Sequence, residues 1–135
     1  MTFDQLNELQ KSGLVAIGAH TQNHPILINE TDETAYKEII DSINQLSEVL
    51  QEEVRYFAYP NGSPALDYSQ RKINVLKEAG IRLGFSTENK TISRGDDPYS
   101  IPRKGITRGS MLFILLKLLM GKHWGSLKSI TKKNG

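Results

Sequence analysis

Three short apolar runs, Val15–Ala19, Val54–Tyr59 and Ile81–Ser86, are each preceded by a stretch with the three- and four-residue spacing of a helix. That alternation is the strongest constraint in the chain. Strands separated by helices lie parallel in one sheet, with the helices packed outside it. The sequence therefore predicts an α/β fold.

The helical stretches are marked at their ends as well as along their faces. Thr2 and Gln5 have the spacing of a capping box that opens a helix through Phe3, Leu6 and Leu9, and Gly13 stops it. Thr31 caps a second helix whose first turn carries Asp32 and Glu33, where the helix dipole favours negative charge. Along it, Tyr36, Ile39, Ile40, Ile43, Leu46 and Leu50 form one apolar stripe. A third helix is expected over Tyr68–Ala79, with Ile73 and Leu76 inward and Gly80 as its stop. Residues 94–108 read as extended and irregular, and Met111–Met120 as a last helix.

Composition narrows the function. The 135 residues make one domain's worth of chain. A net charge of +2 gives no basis for nucleic-acid binding, and the basic excess sits near the end, at Lys117, Lys122, Lys128, Lys132 and Lys133. With no cysteine there is neither a disulfide framework nor a thiolate metal site. The first ten residues are polar and acidic, unlike a secretory signal, and Met111–Met120 falls well short of the ~20 residues that span a bilayer. The triplets at Asn29, Asn61 and Asn89 match glycosylation acceptors, a pattern common by chance.

In parallel sheets, ligands bind beyond the C-terminal ends of the strands. His20-Thr21-Gln22-Asn23-His24 follows the first expected strand and Pro60-Asn61-Gly62 the second, so both unusual segments fall on one rim. A loop after a buried strand can turn two imidazoles toward one metal ion; equally, the pair can hydrogen-bond within the loop and organise it. A catalytic zinc site takes three protein ligands, so two histidines leave one to be found.

Gly18-Ala19-His20-Thr21-Gln22-Asn23-His24-Pro25 resembles the second motif of the NodB-type polysaccharide deacetylases, carbohydrate esterase family 4. Arg55-Tyr56-Phe57-Ala58-Tyr59-Pro60-Asn61-Gly62 is similar to the family's third motif, and Tyr99-Ser100-Ile101-Pro102-Arg103 to a further segment of one subgroup. Order and spacing agree from about Phe3 to Arg108. The resemblance implies a partial distorted (β/α) barrel with about three parallel strands and outer helices over 1–110, followed by a helix and basic tail over 111–135.

It also implies a hydrolase that removes acetyl groups from the N-acetylated sugars of a polysaccharide. Zinc, or another divalent metal, would be held by His20 and His24, with an aspartate from the family's first motif as third ligand and a neighbouring aspartate as base. The backbone N–H of Asn61 would help hold the oxyanion. A place at the cell envelope follows from the resemblance too.

The departures carry equal weight. Thr2-Phe3-Asp4 imitates the first acidic motif, but Gln5 stands where its second aspartate belongs, and the segment lies too close to His20; a helix start is the better reading. The arginine of the common third motif aligns with Ala58, so Arg103 is the residue that can supply the guanidinium, with a surface ion pair as its alternative role. His123 reads as a tail residue rather than the general acid, and Glu88, Asp96 and Asp97 as solvated loop carboxylates.

The expectation is thus the C-terminal part of a deacetylase domain, weak or inactive by itself. The alternative is a non-catalytic carbohydrate-binding or assembly module that keeps the rim. An open half-barrel exposing Val15, Ile17, Phe57, Leu83 and Phe85 predicts a homodimer. For Met111–Met120 the expectation is a helix that covers the domain, in preference to contact with an anionic membrane surface.

Overall fold

The computed structural model describes residues 1–103, 105 and 110–120. Helix α1 (Phe3–Lys11) opens on the capping box: Gln5 N donates to Thr2 Oγ1 at 3.3 Å and Thr2 N to Gln5 Oε1 at 2.9 Å. Thr2-Phe3-Asp4 is therefore a helix start, with Asp4 in the first turn. Helix α2 (Asp32–Leu50) begins with Thr34 N donating to Thr31 Oγ1 at 3.1 Å. Its buried face is Ala35, Ile39, Ser42, Ile43 and Leu50. Tyr36, expected in this stripe, is exposed, because Ala35 and Ile39 already define the inward face and Tyr36 is turned about 100° from Ala35.

Strand β1 (Tyr56–Ala58) and strand β2 (Leu83–Phe85) pair in parallel, with Phe57 opposite Gly84. Between them runs helix α3 (Gln70–Glu78), shorter than the expected 68–79: Tyr68 precedes the helix and is buried. Single parallel bridges extend the sheet on both sides, Ala19 to Phe57 and Phe85 to Ile101. The result is four parallel lanes, in the order of residue 19, β1, β2 and residue 101, where three strands were expected.

The expected first strand, Val15–Ala19, contracts to the single bridge at Ala19. Ala19 N donates to Tyr56 O and Ala58 N to Ala19 O, both at 2.9 Å. One residue earlier in β1's approach, the Arg55 carbonyl accepts from Arg82 and Leu83 on the opposite side. Residues 15–18 thus make no backbone ladder bond among the described residues, and Val15 is 45% exposed.

The core lies between the lanes and helices α2 and α3, built from Leu27, Ile39, Phe57, Tyr59, Leu76 and Ile81 among others. Phe57, expected on an open face, is 0% exposed. Ile17, Leu83 and Phe85 are half-buried, so the open apolar face is smaller than the sequence predicts. Helices α2 and α3 are tied by Asp32, which accepts from Lys72 Nζ at 2.5 Å and Arg71 Nη1 at 2.9 Å. Lys72 is only 4% exposed, and its ammonium is matched by that carboxylate.

Helix α4 (Met111–Met120) does not cover the domain. Most of its apolar side chains are exposed, Met111 at 82% and Leu119 at 74%. The basic residues from Lys122 onward and His123 lie outside the described residues.

Candidate active site

The four lanes end on one rim, and each delivers a polar residue to it. His20 follows Ala19, Asn61 lies three residues beyond β1, Ser86 and Thr87 follow β2, and Arg103 lies two beyond Ile101.

The two histidines meet as their spacing suggests, with ring centroids 4.8 Å apart and planes at 76°. His20 Nδ1 lies 2.6 Å from Ala58 O. A carbonyl oxygen can only accept, so Nδ1 carries a proton, and in the neutral ring the lone pair is then on Nε2. This is the arrangement by which a backbone carbonyl fixes the tautomer of a metal-ligating histidine.

The loop is held in a conformation that local preference opposes. Thr21 and His24 have φ of 63° and 56°, and Asn61 on the neighbouring loop 55°. Left-handed backbone is unfavourable for side chains with a Cβ, and such residues persist only where surrounding structure fixes them. Glu38, on α2, is what fixes the histidine loop. Its carboxylate accepts from Gln22 N at 3.0 Å, Asn23 N at 2.9 Å and Asn23 Nδ2 at 2.6 Å. Burial raises the Glu38 pKa, but the hydrogen bonds from Asn23 and Gln22 outweigh it and hold the carboxyl below its usual range. The sequence pattern missed Glu38, whose helical position beside buried Ile39 is the only signal it leaves.

Asn61 is exposed, and among the described residues its N–H has no partner. Its loop is pinned by Thr87 N donating to Gly62 O at 2.8 Å. Arg103 Nε donates to Ser86 O at 2.7 Å, and Arg103 N to Glu88 O at 3.0 Å. The lane carrying Arg103 is fastened from below by two tyrosines stacked at 3.6 Å: Tyr59 donates to Tyr99 O at 2.9 Å, and the hydroxyls of Tyr68 and Ser100 are 2.7 Å apart. Burial pushes the Tyr59 hydroxyl well up, so it stays a neutral donor.

The three loop carboxylates singled out in the sequence have partners of their own. Glu88 and Asp96 share Lys90 at 3.3 Å each, and Asp97 accepts from Tyr99 N at 2.9 Å. Among the described residues no third His, Asp or Glu joins the histidine pair in a metal-holding cluster. Any divalent ion held by this pair would thus draw only two His, Asp or Glu ligands from the described residues. A cavity of about 350 Å³ beside the pair takes in His20, Thr21 and Gln22 with Phe3 and Leu46, but not His24.

A profile of the polysaccharide deacetylase family matches residues 2–84. The poly-beta-1,6-N-acetyl-D-glucosamine N-deacetylase of Staphylococcus aureus is 30% identical over 107 residues, 73% of this chain and 36% of that protein. Its Staphylococcus epidermidis counterpart is 29% identical over the same length. The chain thus spans little more than a third of the curated relatives it matches. Among solved structures, the Streptococcus pyogenes deacetylase PplD in complex with acetate superposes with a TM-score of 0.77 at 25% identity, over 87% of this chain and 50% of that one. IcaB from Ammonifex degensii gives a TM-score of 0.69 at 26% identity, over 78% and 48%. The parallel lanes are thus part of the α/β barrel of the NodB-type deacetylases. With a profile covering more than half its length and a relative 30% identical over 73% of it, the chain belongs to the polysaccharide deacetylase family.

Proposed function

We propose that this chain carries the histidine-bearing rim of a metal-dependent hydrolase that removes acetyl groups from N-acetylated sugars of a polysaccharide. The observation that supports it most is the His20–His24 pair, with His20 Nδ1 held by Ala58 O at the C-terminal ends of parallel lanes. His20 and His24 would hold zinc or another divalent ion, which when bound supplies Lewis-acid polarisation of the amide carbonyl and an activated water. Asn61 offers its backbone N–H to the amide oxygen as that atom gains charge. Arg103, oriented through Nε on Ser86 O, places a guanidinium on the same rim.

Two imidazoles with no carboxylate partner among the described residues predict modest affinity and little turnover. Zinc titration by calorimetry should give binding no tighter than micromolar, lost in both His20→Ala and His24→Ala. Acetate release from N-acetylglucosamine oligomers with added zinc should be weak or absent. Binding unchanged in both variants would overturn the metal assignment, and robust turnover abolished by His20→Ala would show that a carboxylate such as Asp4 or Asp96 completes the site.

The lack of a third ligand among the described residues also favours a second reading, a non-catalytic carbohydrate-binding or assembly module. Oligosaccharide binding that persists in chelator separates it from the first.

We also propose that residues 1–110 act as the deacetylase-like domain and 111–135 as a separate segment. The edge at residues 15–18, which makes no backbone ladder bond among the described residues, is suited to two-fold pairing with a second copy. Sedimentation at micromolar concentration should show a dimer that Val15→Lys dissociates; a monomer at every concentration refutes the pairing.

A further inference from the structure

Apart from Lys117, every residue of α4 is apolar, and most of these side chains are exposed. At about 100° per residue, the nine apolar residues run continuously from Ile114 through Leu118, Leu115, Leu119 and Leu116 to Phe113, an arc of about 260°. The position of Lys117 on the helix is opposite the middle of this arc.

A second pattern accompanies it. All fifteen acidic residues of the chain lie within 1–97, together with nine of its seventeen Lys and Arg. The other eight, Arg103, Lys104, Arg108, Lys117, Lys122, Lys128, Lys132 and Lys133, lie in 98–135, which contains no acid. A wide apolar arc set within a purely cationic segment is the composition that seats a helix in the plane of a bilayer interface. The helix does not suit a crossing: ten residues rise about 15 Å, half the ~30 Å of a hydrocarbon core, and no helix among the described residues is long and apolar enough to span one.

We propose that α4 is an interfacial membrane anchor that lays its leucine arc into an anionic lipid surface, the flanking lysines and arginines pairing with lipid headgroups. A second copy of the chain is the poorer occupant, because joining two such helices would bring two acid-free cationic segments together. A soluble polyanion would satisfy the charges and leave the arc in water. The proposal stands apart from the hydrolase reading, since the helix and the basic residues beyond Arg103 on which it rests include no residue of the rim.

The test uses the whole chain with vesicles of phosphatidylcholine alone and of phosphatidylcholine with a quarter phosphatidylglycerol. Trp124, the single tryptophan, lies four residues beyond α4 and serves as a native reporter. Binding to the anionic vesicles should exceed binding to the neutral ones at least tenfold, shift Trp124 emission to the blue, and weaken in half-molar salt. Leu115→Glu with Leu119→Glu should lower vesicle binding at least tenfold while leaving the thermal melt unchanged, because α4 lends little to the core. Equal binding to both vesicle types, or none to either, overturns the anchor. So does self-association without lipid that the double variant abolishes, which would make a second copy the occupant.

Discussion

Phe57→Ala is expected to remove about 3–5 kcal/mol of stability, the range for truncating a fully buried phenylalanine. The residue is central in every sense that matters to this fold. It is the middle residue of β1, it sits opposite Gly84, and it bridges to Ala19 on the other side. Its ring packs edge-on to Tyr59 at a centroid distance of 5.4 Å. A small domain holds only ~5–15 kcal/mol in total, and two three-residue strands give this one little reserve. Urea denaturation followed by far-UV circular dichroism should show the transition midpoint collapsing toward zero denaturant. Phe57→Leu, which nearly conserves volume, should cost under about 1.5 kcal/mol. A loss below about 1 kcal/mol in the alanine variant would show that the sheet is not built around this ring.

Gly84→Ala is expected to cost about 3 kcal/mol, the upper part of the range for overpacking. A Cβ at this position would lie 2.6 Å from Tyr99 O and 3.2 Å from the Tyr59 hydroxyl. The first obstacle is backbone, so it cannot be relieved by a rotamer change. Moving the 98–101 segment away breaks Gly84 N to Pro98 O and Ile101 N to Gly84 O, each 2.8 Å. The damage should therefore concentrate in the fourth lane. Amide exchange at Ile101 and Ser86 should accelerate far more than exchange in the middle of α2, and the melting temperature should fall by several degrees. Unchanged protection at Ile101 would mean that lane does not depend on the close approach.

The helices were the legible part of the sequence because their signals are local. Thr2 with Gln5, and Thr31 with Asp32 and Glu33, act within one turn, and the structure keeps both starts. Strand extent was not legible, because a strand exists only where a neighbour offers backbone. Val15–Gly18 has the right composition and no ladder bond among the described residues, whereas the bridge at Ile101 joins the sheet from a segment read as irregular. The histidine pair was legible from spacing after a strand. Glu38 was not, since its role depends on how α2 lies against a loop fifteen residues earlier in the chain. Helix α4 misled for a further reason: an apolar pattern says that a face avoids water, not which surface takes it.

The left-handed residues at the rim set a limit on how this chain can be improved. Thr21, His24, Asn61 and Ala65 each hold a positive φ without being glycine, at a cost of order 1 kcal/mol apiece. Selection for stability alone would place glycine at all four, and at Ala65 the exchange sacrifices only a methyl group. At His24 the same exchange would delete an imidazole. Natural variants and engineered ones face the same trade-off there: robustness can be gained at Ala65 or on the outer faces of α2 and α3, while the His20–His24 turn has to be kept in its costly shape.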